Sequence, residues 1–119
     1  MSKEQSQLRV TDLDGVTRFE FVDRDILDEA SIRSIGEEML TRIEAAAKPR
    51  VVITFQNVEH LSSAALGTLI TVSSAVKKKG GQLCLSDIKP SILEVFRITK
   101  LNRVFTIHPT AAEAVKSLA

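Results

Sequence analysis

The sequence predicts an α/β domain: a mixed, mostly parallel β-sheet of about five strands, opened by an N-terminal hairpin, with about four helices packed over it. Three observations predict it. Asp14-Gly15 stands between two short β-prone runs, a strong hairpin signal because both central positions of a type I′ turn need positive φ. Val51-Val52-Ile53-Thr54-Phe55 is nearly continuous in β-branched and aromatic residues, as in a strand buried on both faces. From there β-prone runs alternate with helix-period segments, and strands separated by helices pair in parallel.

Residues 1–7 read as a loose polar leader and residues 8–119 as a single domain. Leu8 and Val10, then Val16, Phe19 and Phe21, mark the hairpin strands, and residues 23–28 form a charged connector. Asp28 stands at the N-cap of a helix in which Ile32, Ile35, Met39, Ile43 and Ala46 recur at steps of three and four. Lys48-Pro49 ends it, because the residue before a proline is pushed out of the α region. Beyond the central strand and the loop 56–61, a second amphipathic helix carries Ala65, Leu69, Val72 and Val76 inward. Lys77-Lys78-Lys79 complement its negative C-terminal end, and Gly80-Gly81 stop it. Leu83-Cys84-Leu85 is a short buried strand. Pro90 opens a third helix with Ile92, Val95 or Phe96, and Thr99 inward. Val104-Phe105-Thr106-Ile107 is the last strand. Thr110 and Glu113 form a capping box for a closing helix that carries Ala111, Ala114, Val115 and Leu118.

Composition narrows the function. At 119 residues the chain makes one compact domain that needs neither metal nor disulfide to fold. Sixteen Lys+Arg against 15 Asp+Glu leave a net charge of +1, which argues against an electrostatic nucleic-acid binder. The absence of Trp and Tyr disfavours base-stacking surfaces. No apolar stretch approaches the roughly 18 residues of a membrane span, and the polar N-terminus lacks a signal-peptide core, so a cytoplasmic location without membrane insertion is expected. The single Cys84, in an apolar run, reads as a buried, inert thiol.

Catalytic chemistry finds little support. His60 and His108 have no neighbours at metal-ligand spacing, and Gly80-Gly81 belongs to no phosphate-loop pattern, so no metal and no cofactor is expected. The informative segment is Leu61-Ser62-Ser63-Ala64-Ala65-Leu66-Gly67, where two hydroxyls stand at a helix start. One reading makes them N-caps. The other uses the same free N–H groups and partial positive charge, which welcome a phosphate placed on a serine there.

This segment, the Gly80-Gly81 stop, and the tail Ile88-Lys89-Pro90-Ser91-Ile92 through Val95-Phe96-Arg97-Ile98-Thr99-Lys100-Leu101 to Phe105-Thr106-Ile107 together resemble the STAS domain of bacterial anti-sigma factor antagonists. The resemblance covers roughly residues 8–118. In that family an Asp-Ser-Ser/Thr-Gly-Leu-Gly segment carries the regulatory serine directly after the aspartate. Here Ser62 falls at the aspartate, Ser63 at the phosphorylated serine, Ala64 at the second hydroxyl and Ala65 at the first glycine, while Leu66 and Gly67 match. The resemblance implies that Ser63 is the phosphoacceptor, with Ser62 as fallback. Asp28 matches the family's acidic residue at the end of the second strand, near that serine, and Asp25 replaces a usual glycine.

The expectation is a non-catalytic binding module that docks on a serine-kinase-type anti-sigma factor and is switched off by phosphorylation. Asp28, His60, Ser62, Ser63, Ala64, Leu66 and Gly67 would form the partner surface, and a weak homodimer stays open. One alternative is a constitutive STAS subunit of a larger assembly, a stressosome-like scaffold or a lipid-transporter accessory subunit. The other is a flavodoxin-like enzyme or ligand-binding domain, with a site at the carboxyl ends of the strands and His60 as its acid–base candidate.

Overall fold

The structure is a computed structural model that describes residues 8–13 and 15–118. Leu8–Leu13 (β1) and Val16–Phe21 (β2) form an antiparallel hairpin, with Leu13 opposite Val16. Gly15, at φ 79°, holds the left-handed conformation a two-residue turn requires, while Asp14 and the leader 1–7 lie outside the described residues. The chain continues through Asp25–Ile26 (β3), Glu29–Ala45 (α1), Arg50–Thr54 (β4), His60–Leu61 (β5) and Ser63–Lys78 (α2). Gln82–Ser86 (β6), Pro90–Ile98 (α3), a 3-10 turn Leu101–Arg103, Thr106–His108 (β7) and Ala111–Leu118 (α4) complete it.

The main sheet has the order β1-β2-β4-β6-β7, and every pairing after the hairpin is parallel. From β2 to β7 the order never reverses. Right-handed crossovers that always step in one direction leave every crossover helix on the same face. The core shows that consequence. Phe19 and Phe21 of β2, Val51 and Ile53 of β4 and Leu85 of β6 pack with Ile35, Met39 and Ile43 of α1, Leu69, Val72 and Val76 of α2, and Ile92 and Phe96 of α3. The alternate residues Val16, Val52 and Cys84 point to the opposite face and pack against Ala114 and Leu118 of α4. The near-continuous apolar run of β4 is thus explained by cover on both sides. The expected four helices are present, but the cover divides three to one.

Phe55 joins the strands to α3 through ring contacts, 5.2 Å from Phe21 and 6.3 Å from Phe96 between centroids. Gly81 meets Pro49 so closely that a Cβ would collide with the Pro49 carbonyl, which accepts from the Gln82 N–H at 2.9 Å. That contact seats the end of α2 against the start of β4. Gly80, at φ 70°, is the left-handed residue that ends α2.

Three expectations need correction. The last strand is Thr106–His108, starting two residues later than the run 104–107 and ending one later, because residues 101–103 wind into a 3-10 turn that first buries Phe105. Thr99 is exposed: α3 turns Ile92 and Phe96 inward and leaves Val95 outside as well. Residues 23–28 are not merely a connector, since Asp25 and Ile26 form a strand.

Candidate functional site

The site begins with that short strand. β3 pairs in parallel with β5, placing Asp25 beside His60 and Ile26 beside Leu61, in a two-stranded ribbon apart from the main sheet. Main-chain bonds zip it together: the Arg24 carbonyl accepts from the N–H groups of Glu59 at 2.7 Å and His60 at 3.2 Å. The Ile26 carbonyl accepts from Ser62 N–H at 3.1 Å. An ion pair, Arg24–Glu59 at 3.2 Å, and a side-chain hydrogen bond between His60 Nδ1 and Asp25 Oδ1 at 2.7 Å flank the ribbon. All four side chains are solvent-facing, so each pair is worth at most about 1 kcal/mol and the ribbon's order rests on its backbone bonds.

The ribbon delivers two helix starts side by side. Ile26 leads, two residues on, to Asp28, whose Oδ2 accepts from Ser31 N–H at 2.9 Å and caps α1. That backbone bond, followed by a bond from the Ser31 hydroxyl, holds the Asp28 carboxyl below its ordinary range. Leu61 leads directly to Ser62, whose Oγ accepts from Ala65 N–H at 3.2 Å and caps α2. The two serines therefore differ in kind. Ser62 is half-buried and engaged, whereas Ser63 is the first helical residue and exposed.

The remaining expected residues separate by burial. Ala64 and Gly67 are exposed beside Ser63, His60 is exposed on the ribbon, and Leu66 is buried. A Cβ on Gly67 would meet nothing within 4 Å, so no steric demand of the fold keeps a glycine there. Ala65 is buried against a small apolar space of about 10 Å³ lined also by Phe21, Ile26, Ile32 and Met39. A methyl at this position therefore packs into the core. The outward residues of α2 carry no charge from Ser63 to Val76; its first cation is Lys77.

Sequence reasoning missed the Asp25–His60 pair, because two-residue strands have no periodicity to detect. It also missed a groove of about 310 Å³ lined by Leu27, Leu61, Ser91, Ile92 and Val95 together with Glu59 and His60. Among the described residues no three His, Cys, Asp or Glu side chains gather as a metal site, and no helix is long and apolar enough to cross a membrane. Burial raises the Cys84 thiol above its ordinary pKa, with Ser117 opposing in part. Such a thiol is a poor nucleophile.

The STAS domain sequence model matches residues 9–114. The chain belongs to the STAS domain family. A STAS-domain anti-sigma-factor antagonist of Planctomyces limnophilus superimposes with a TM-score of 0.85 at 25% identity, covering 93% of this chain and 97% of its own. BtrV of Bordetella bronchiseptica, a candidate anti-sigma factor antagonist, is 25% identical over 95 residues, 77% of this chain and 81% of BtrV. The Bacillus cell fate determinant SpoIIAA, in its phosphorylated form, shares the fold with a TM-score of 0.73 at 16% identity, covering 94% and 99% of the two chains. The Planctomyces and Bordetella relatives of this STAS domain are thus named as antagonists of anti-sigma factors.

Proposed function

We propose that this STAS domain is a non-catalytic antagonist that binds a serine-kinase-type anti-sigma factor and is released when Ser63 is phosphorylated. One observation carries the reading: Ser63 is exposed on the first turn of α2, while its neighbour Ser62 is occupied as the cap. A hydroxyl in that place is reachable by a kinase, and the helix N-terminus stabilises the resulting dianion without any change of fold. The occurrence of SpoIIAA in a phosphorylated form on the same fold is consistent with this. Gly67 supports the location of the contact. An exposed glycine inside a helix lowers stability by about 1 kcal/mol relative to alanine, and here its missing side chain lets a partner backbone approach.

The strand order also bears on the flavodoxin-like alternative. Ligand crevices in doubly wound sheets form where strand order reverses and neighbouring crossovers leave on opposite faces. From β2 to β7 this sheet does not reverse, which favours a surface function.

The test is Ser63→Asp. The variant is expected to keep the wild-type circular dichroism spectrum and melting midpoint while binding the anti-sigma factor at least tenfold more weakly by calorimetry. Intact-mass analysis after incubation with that kinase and ATP is expected to show one added phosphate on wild type and none on Ser63→Ala. Undiminished binding by Ser63→Asp would refute the switch.

A further inference from the structure

Of the large apolar side chains left in water, two lie on α3 and one just before the α1 cap. Ile98 is 72% exposed, Leu27 54% and Val95 40%. Ser91, Val95 and Ile98 recur at steps of four and three, so they form a stripe on one flank of α3, apart from the inward residues Ile92 and Phe96. Val95 and Leu27 both line the groove of about 310 Å³, together with Leu61 and Ile92. Leu61 precedes Ser62 and Leu27 precedes Asp28, so the groove is continuous with the two capped helix starts.

The surroundings of the groove are acidic. Asp23, Asp25, Asp28 and Glu29 flank its lining residue Leu27 in the chain against Arg24 alone, Glu59 lines it with His60, and at α3 Lys89 is bonded to the Gln56 carbonyl and Arg97 to Glu94. Arg24 is taken by Glu59 and His60 by Asp25, which leaves Asp23, Asp28 and Glu29 without a cationic partner among the described residues. The whole chain carries a net charge of +1, so this concentration of carboxylates is local.

We infer that the groove between the β3–β5 ribbon and α3 is the specificity pocket of the docking surface, taking a large aliphatic or aromatic side chain of the anti-sigma factor flanked by Lys or Arg. The inference rests on the proposed function and adds to it the chemistry of the partner segment. An apolar anchor in a desolvated pocket supplies affinity, and the surrounding charges select a basic segment and speed its arrival.

The experiment measures calorimetric affinity between the full chain and the serine-kinase-type anti-sigma factor from the same genome, in ADP. Val95→Asp/Ile98→Asp is expected to bind at least tenfold more weakly than wild type. Because Ile92 and Phe96 are untouched, its melting midpoint is expected to stay within a few degrees; if it does not, Val95→Ser/Ile98→Ser replaces it. Asp23→Asn/Glu29→Gln is expected to weaken binding severalfold at low salt and to flatten its salt dependence. Normal binding by a folded α3 variant, or an unchanged salt profile, overturns this inference but leaves the switch standing. No binding by wild type overturns the proposed function itself. Sedimentation of the free chain checks the rival occupant: a self-association abolished by the α3 substitutions would assign the groove to a second copy and overturn the inference.

Discussion

Ser62 and Ser63 are chemically identical neighbours in different surroundings, one engaged as a cap and the other exposed. Ser62→Ala removes the hydroxyl that accepts from Ala65 N–H and is expected to cost about 1 kcal/mol of stability. Ser63→Ala removes an exposed hydroxyl and is expected to stay within about 0.5 kcal/mol. Urea titration of the two variants checks the division, and equal losses would mean that the cap is shared. Asp28 adds a pH signature. Its carboxyl is depressed in the folded state, so its contribution is complete above the ordinary carboxylate pKa of about 4 and is lost as pH falls through the folded value. Asp28→Asn, which still caps, is expected to flatten the acid limb of the stability profile measured between about pH 5 and pH 2. An unchanged acid limb would mean that other carboxylates govern it.

At the scale of elements, the glycines show where the fold demands a missing side chain and where it does not. Gly67 has open space around it, so Gly67→Ala is expected to raise stability by about 1 kcal/mol while weakening partner binding. Gly81→Ala must push aside the Pro49 backbone and is expected to cost at least about 2 kcal/mol. Chemical denaturation orders the two, and a destabilised Gly67→Ala would remove the support that glycine lends to the docking surface. Gly36 is similarly confined: a Cβ there would lie 2.9 Å from Thr68 Cγ2, where α1 crosses α2. These helices were legible from the spacing of their apolar residues and from Asp28, Pro90 and Gly80, although α1 ends at Ala45, ahead of the Lys48-Pro49 stop expected for it. The ribbon of β3 and β5 was not, because two residues cannot alternate often enough to signal a strand. Val104 and Phe105, which follow the 3-10 turn, were read as the start of the last strand because of their β propensity, yet burial of Phe105 decided the local path.

At the scale of the molecule, adjacent residues of β4 serve two separate cores. Val52 packs under α4 and Ile53 under the three crossover helices. Val52→Ala is expected to cost about 1–3 kcal/mol and Phe96→Ala about 3–5 kcal/mol. Since they lie on opposite faces with no shared cluster, the double variant is expected to add within about 0.5 kcal/mol. A larger coupling in a double-mutant cycle would show that the layers communicate through the sheet.

By itself the sequence determined the α/β class, the hairpin, all four helices and the place of Ser63, because apolar periodicity, caps and glycine stops act over a few residues and are written in order along the chain. Its family resemblance pointed to the same serine. Only the tertiary structure decided which serine is free, that α4 covers the opposite face alone, and that Asp25 reaches His60. It also brought Leu27, Leu61 and Val95, distant in sequence, around one groove. Burial and side-chain contact are properties of the packed sheet, set by strand order and crossover hand, and no local pattern encodes them.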